Sequence, residues 1–206
     1  MKMRCFIGLD LSVSNKLALE QWRNKALPDL PSRTPAPAKG SRHKVSSAAP
    51  PAAVAPANFH LTLAFLGQLD MRQHEEVMAR LDEVRQPPIS LTLDTTGVWQ
   101  GPKILFCAPH NVPDELYELV RQVTKAARQS GIAIERREYR PHVTMLRKAS
   151  AALPPPLYPP QIACNFDKFH LFESVSSPHG VSYPIRHSWP LIPNLSVRER
   201  LRRGLA

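Results

Sequence analysis

Asn58-Phe-His-Leu-Thr-Leu-Ala-Phe-Leu-Gly67 is the stretch on which the fold turns. Read as a strand, its side chains alternate between two faces. Phe59, Leu61, Leu63 and Phe65 then share an apolar face that must be buried. His60 and Thr62 share the other, roughly 6.6 Å apart along the strand. The arrangement returns at Arg140-Pro-His-Val-Thr-Met-Leu-Arg147. There His142 and Thr144 share one face, and Val143 and Met145 the opposite one. If the two halves are related by approximate twofold symmetry, both His-x-Thr strands can line one cleft with their histidines facing each other.

The flanking segments support this reading. Residues 4–12 read as a buried strand. A helix follows from about Ser14, with Leu17, Leu19 and Trp22 as apolar positions, Ser14 or Asn15 as cap, and Pro28 as its end. Residues 28–56 are rich in Pro, Ala, Ser and basic residues and lack periodicity, which predicts a flexible loop. A helix over 71–84 stops before Pro87-Pro88, and Ile89–Asp94 alternates as a strand. Gly101-Pro102 turns the chain into a strand over 104–108. Pro113 opens a long helix to Ser130, with Asn111 as cap and Gly131 as stop. A strand is expected from Tyr139 to Arg147, and a proline-punctuated loop over 154–160. A hairpin closes the chain, Phe166–Val175 against Val181–Trp189, before a basic tail at 196–206. The order lacks Rossmann spacing, and the glycines do not form a phosphate loop. The expected fold is α+β with antiparallel sheets, and the helix, loop and His-x-Thr strand in each half hint at a duplication.

The net charge of +10 and a pI near 10.0 favour polyanionic partners, nucleic acid first among them. Much of that excess lies in Arg33, Lys39, Arg42 and Lys44, and in Arg198, Arg200, Arg202 and Arg203, so it also fits basic peripheral segments. Cys5, Cys107 and Cys164 form no CxxC pair, which argues against a disulfide framework or a cysteine-rich zinc site and for buried small hydrophobes. The first apolar run is short and ends at Asp10, unlike a signal peptide, and no run approaches the roughly 20 residues of a membrane helix. The expectation is a soluble cytoplasmic protein. The lack of an evident self-complementary apolar face predicts a monomer without an obligate protein partner.

One His-x-Thr on a strand is most often structural; two, each with a buried alternate face, suggest chemistry. An imidazole with a pKa near 6.5 can take or give a proton at neutral pH. Two across a cleft would supply a base on one side of a phosphorus atom and an acid on the other. The hydroxyls would donate to non-bridging oxygens, where charge accumulates. A strained five-membered cyclic phosphate requires no metal. The chain has neither HExxH nor a carboxylate cluster for two-metal catalysis, so no metal or cofactor is expected.

The two quoted segments resemble the paired motifs of the 2H phosphoesterase superfamily. Within it, the chain is similar to the RNA 2',3'-cyclic phosphodiesterases, also called 2'-5' RNA ligase-like proteins. The likeness extends to Arg4-Cys-Phe-Ile-Gly-Leu-Asp-Leu11 and to Leu91-Thr-Leu-Asp-Thr-Thr-Gly-Val-Trp99. It implies a single bilobal domain over 1–206, with two antiparallel sheets around a central cleft and helices on the outside, and a hydrolase that opens 2',3'-cyclic phosphate ends of RNA or nucleotides to 2'-phosphates. It also implies that His60 is the proton donor to the leaving 3' oxygen and His142 the proton acceptor that activates water. Thr62 and Thr144 would hold the phosphate, with Leu61, Leu63, Val143, Met145 and Arg147 completing the substrate-binding set. Met145 stands where the family usually has Leu, a volume-conserving change. The stretch near 33–52 looks like an insertion. Strict alternation points Arg147 away from His142, so its role requires the strand to end or bend before it.

Tyr139, Trp99 and Phe59 could stack a base or belong to the core, and Arg140 could meet an RNA phosphate or stay solvated. His43, His74, His110, His170, His179 and His187 show no partner pattern. The resemblance also admits 2'-5' ligation, a 2'-5' oligonucleotide phosphodiesterase and an ADP-ribose cyclic-phosphate hydrolase. A non-catalytic RNA- or nucleotide-binding module is the reading from a different class.

Overall fold

The N-terminal apolar run forms strand β1 (Met3–Asp10), with Cys5, Phe6, Ile7 and Leu9 buried. The computed structural model describes residues 3–27, 51–149, 153–178 and 180–193, together with Arg198 and Arg202. Residues 28–50, most of the expected loop, and nearly all of the basic tail lie outside the described residues.

Helix α1 (Val13–Ala26) follows, and its cap is Ser12 rather than Ser14 or Asn15. Ser12 Oγ accepts the Asn15 amide, satisfying one of the first-turn donors that have no intrahelical partner. Leu19 and Trp22 are buried as expected, but Leu17 is half exposed. The short strand β2 (Ala52–Ala53) and a 3-10 turn at Pro56–Asn58 show that the end of the expected loop is ordered. Then come β3 (His60–Leu69) and α2 (Met71–Leu81), the latter capped reciprocally by Asp70 and Gln73. Strands β4 (Ile89–Leu93), β5 (Thr95–Trp99) and β6 (Ile104–Ala108) precede α3 (Asp114–Gln129). Pro113 stands at the start of α3 without a side-chain cap, so Asn111 does not cap it, and Gly131 ends it at φ 70°.

Strand β7 (Val143–Arg147) begins later than Tyr139, because Pro141 has no N–H to contribute to a ladder. β8 (Ile162–Phe166), β9 (Lys168–Glu173), β10 (Val175–Ser177), β11 (Gly180–Ser182) and β12 (Ile185–Pro190) complete the chain. Neither β5 nor β8 was expected. All five residues of β5 are half-buried, so it carries no alternation signal. β8 alternates well but lies directly behind the proline-rich loop.

Among the described residues the strands form two four-stranded antiparallel sheets, β12-β9-β1-β3 and β2-β7-β6-β5, with ribbons β4-β8 and β10-β11. Each sheet holds one motif strand: β3 beside β1, and β7 beside β6. A continuous apolar core runs from Leu9 and Leu61 in the first lobe to Cys107 and Val143 in the second. Each large side chain buried there contributes roughly 1.5–3 kcal/mol. The three cysteines are free and buried, and burial pushes their thiol pKa values up. Among the described residues no helix is long and apolar enough to cross a membrane.

Candidate active site

Both motif strands contain a one-residue bulge directly after the threonine. Along β1 and β3, Gly8 faces Thr62 and Ile7 faces Ala64, which leaves Leu63 unpaired. Along β6 and β7, Phe106 faces Thr144 and Leu105 faces Leu146, which leaves Met145 unpaired. Each bulge reverses the facing of the residues that follow it, in β3 until a second bulge at Leu66. In β3 it sends Ala64 and Leu66 to the core and brings Phe65 to the His60 face, 56% exposed, against the expectation that Phe65 is buried. In β7 it turns Arg147 onto the Thr144 face. The bend that Arg147 required is therefore present.

Four residues of the expected substrate-binding set also belong to the core. Leu61, Val143 and Met145 are 0% exposed and Leu63 is 4% exposed, and of these Leu63 also borders the cavity beside the motifs. Burial is what their apolar side chains demand, and it anchors the strand faces that bear the histidines.

The imidazoles are held alike. His60 Nδ1 lies 2.8 Å from Asn58 O, and His142 Nδ1 lies 2.8 Å from Arg140 O. A carbonyl can only accept, so each Nδ1 carries hydrogen and each Nε2 is left for chemistry. His60 Nε2 is 3.1 Å from Thr62 Oγ1. Aromatic walls set both rings. Phe6 packs at 4.7 Å and Tyr183 edge-on at 5.0 Å from His60. Trp99 stands edge-on at 4.6 Å and Phe106 at 5.8 Å from His142. Gly97 makes room for this second wall, since a Cβ there would lie 2.6 Å from Phe106 Cζ.

Burial lowers both pKa values. His60 falls to about 4, mainly through desolvation; the Asn58 carbonyl and Asp10 work against the fall, and His142 and Arg147 add to it. His142 is lowered mainly by desolvation, opposed by the Arg140 carbonyl and assisted by Arg137. Both imidazoles are therefore neutral at pH 7 without an added anion.

Two of the polar contacts between the lobes lie beside the motifs. Tyr139 Oη donates to Thr62 O at 3.2 Å, and Arg147 Nη2 donates to Tyr183 Oη at 3.1 Å. Thr62 and Phe65 from one motif strand and His142 from the other border a cavity of about 540 Å³, with Trp99 and Tyr139 in its wall. Trp99 thus remains a platform for a base. Phe59 does not: it is fully buried with the Arg23 guanidinium 5.5 Å from its ring centroid. Arg140 pairs with Glu138 at 2.7 Å. Phe65, Phe106 and Tyr183 escaped the sequence reading. Tyr183 follows β11 with no local pattern, and its role depends on a long-range contact. Among the described residues no group of three or more His, Cys, Asp or Glu could hold a metal ion.

Comparison with known proteins agrees with this geometry. The family described as LigT like Phosphoesterase matches twice, over residues 38–106 and 105–183, one His-x-Thr motif in each match. The RNA 2',3'-cyclic phosphodiesterase of Escherichia coli (strain K12) is 37% identical over 155 residues, spanning 74% of this chain and 77% of that protein. The crystal structure of E. coli LigT in apo form aligns with a TM-score of 0.77 at 27% identity, covering 93% of this chain and 98% of that one. The structure of E. coli LigT complexed with 3'-AMP gives 0.75 at 28% identity, covering 93% and 99%. Two matches that take in both motifs, and a shared fold that spans nearly the whole of each chain, mean that this protein belongs to the LigT-like phosphoesterase family.

Proposed function

We propose that this protein hydrolyses 2',3'-cyclic phosphate ends of RNA to 2'-phosphomonoesters, using two histidines and no metal. The observation that carries the proposal is the matched pair of imidazoles, each with Nδ1 pinned to the carbonyl two residues back, so that Nε2 is the nitrogen turned to the chemistry, with the Thr62 hydroxyl beside that of His60. His142 Nε2 takes a proton from water as its oxygen attacks phosphorus. The P–O3' bond breaks on the opposite side, and His60 Nε2 gives its proton to O3'. One water is consumed, and the ring opens to a 3'-hydroxyl and a 2'-phosphate. Thr62, Thr144 and the Arg147 guanidinium stabilise the non-bridging oxygens. The donor role asks His60 to be protonated, although burial holds its pKa near 4. The substrate's own negative charge beside Nε2 raises that pKa, so binding loads the acid. The names of the E. coli relative and of the ligand bound to E. coli LigT support the same substrate class. Both motifs of the site come from one chain, which supports action as a monomer without a protein partner; we place that action in the cytoplasm.

The test is product analysis after incubation with a 2',3'-cyclic mononucleotide in excess EDTA. The expected product is the 2'-phosphate. Abolition of turnover by EDTA, or a 3'-phosphate product, overturns the mechanism.

A further inference from the structure

The duplicated lobes differ at one telling position. Arg147 and Phe65 each stand five residues after their motif histidine, and each is turned to the cleft by the bulge before it. One lobe therefore places a cation beside His60, and the other an exposed aromatic ring beside the cavity that His142 borders. That cavity, about 540 Å³, falls within the roughly 300–1,000 Å³ typical of small-molecule sites. Phe65, Trp99 and Tyr139 supply its aromatic surface, and of these Phe65 is the exposed ring. Its rim holds four arginines against two glutamates, an excess of two positive charges. Glu135 pairs with Arg137 at 3.5 Å and Glu138 with Arg140 at 2.7 Å. Arg128 and Arg136 have no carboxylate partner among the described residues, and both are exposed.

Aromatic surface for a base, unpaired guanidinium groups for a phosphate, and continuity with Thr62 and His142 point to one occupant. We infer that this cavity seats the base of the terminal nucleotide on Phe65 and Trp99, and the phosphodiester on its 5' side at Arg136 and Arg128. The protein then selects RNA ends over cyclic mononucleotides. The inference rests on the proposed phosphodiesterase activity but makes a separate claim, about the strand rather than about the reacting ring.

The experiment compares a 2',3'-cyclic nucleoside phosphate with a free 5'-hydroxyl against a dinucleotide carrying the same cyclic end. The dinucleotide is expected to show the higher kcat/KM, by about 10-fold, as one charge-assisted phosphate contact confers. The double variant Arg128→Ala/Arg136→Ala should erase that preference and leave the mononucleotide rate unchanged. Phe65→Ala should weaken both substrates, by about 10- to 100-fold in KM, the range of one base stack. All three residues are exposed, so these variants keep the fold. Equal rates on the two substrates in the unmodified protein, or a preference that survives the arginine variant, overturn the inference while leaving the phosphodiesterase reading intact. If neither substrate is turned over, the activity reading fails. Calorimetric titration with the 2'-phosphate-ended dinucleotide and mononucleotide then decides the site: equal affinities overturn it, and an arginine-dependent difference supports it.

Discussion

Arg147 of the second motif strand donates a hydrogen bond from Nη2 to Tyr183 Oη of the first lobe at 3.1 Å. Tyr183 in turn stands edge-on to His60. This brings the charge of one lobe beside the His60 ring of the other, where it adds to the lowering of the His60 pKa that desolvation mainly causes. Arg147→Gln should therefore raise the His60 pKa, measured by NMR titration of the imidazole protons. It should also raise KM for a cyclic phosphate by about 10- to 100-fold, as loss of a charged hydrogen bond does. An unmoved His60 titration contradicts the placement of Arg147.

His60→Ala and His142→Ala should each lower kcat by about 10²- to 10⁴-fold, the usual worth of general acid or base catalysis. Because the pair acts as a unit, the double variant should lose much less than the product of the two losses. Circular dichroism should be unchanged. A double variant of near-normal rate would sink the two-histidine mechanism.

Acid sensitivity follows from the His60 pKa of about 4, below the ordinary 6.5. As pH falls through 6.5, the unfolded chain takes up a proton that the folded protein refuses. Stability falls until about pH 4, where the folded state is also protonated; above 6.5 the effect vanishes. His60 alone accounts for a loss of about 3 kcal/mol across that window. His142 and His170, also lowered by burial, add to it. His60→Ala should flatten the dependence of denaturation midpoint on pH between 6.5 and 4, and an identical slope would show that His60 is not held neutral.

Gly97→Ala places a Cβ 2.6 Å from Phe106 Cζ, where the ring must move. Phe106 packs on both Trp99 and His142. The expected cost is about 1–3 kcal/mol of stability, typical of overpacking. Thermal unfolding measures it, and kcat should drop with it as the His142 wall loosens. A variant of unchanged Tm and rate would mean that Phe106 is free to turn aside.

Arg23 is a buried cation that anchors the second bulge from behind. Its Nη1 donates to Val54 O at 2.6 Å and, more weakly, to Met145 O at 3.4 Å. Arg23→Met leaves the Val54 carbonyl without this donor in the core, at a cost of about 1.5–3 kcal/mol. The KM for cyclic phosphate should also rise, because Arg147 relies on the bulge at Met145 for its direction. Urea unfolding and kinetics together check this; unaltered values in both would detach Arg23 from the bulge.

Sequence by itself determined the antiparallel α+β plan, the two motif strands and the pairing of His60 with Thr62 and His142 with Thr144. These are local matters: side-chain direction alternates along any strand, and a face of Leu, Val and Met must be buried. Alternation held for Phe59 to Leu63 and for Val143 to Met145, then failed at Phe65 and Arg147. The failure has one cause. A bulge is a property of two strands, and those at Leu63 and Met145 arise from register against β1 and β6, which no window of β3 or β7 contains. The same holds for Tyr183 and Phe106, whose places at the histidines exist only once distant strands are side by side. Tertiary structure alone decided which residues beyond the threonines turn into the cleft, and so placed a cation beside His60 and an exposed aromatic ring in the wall of the cavity that His142 borders.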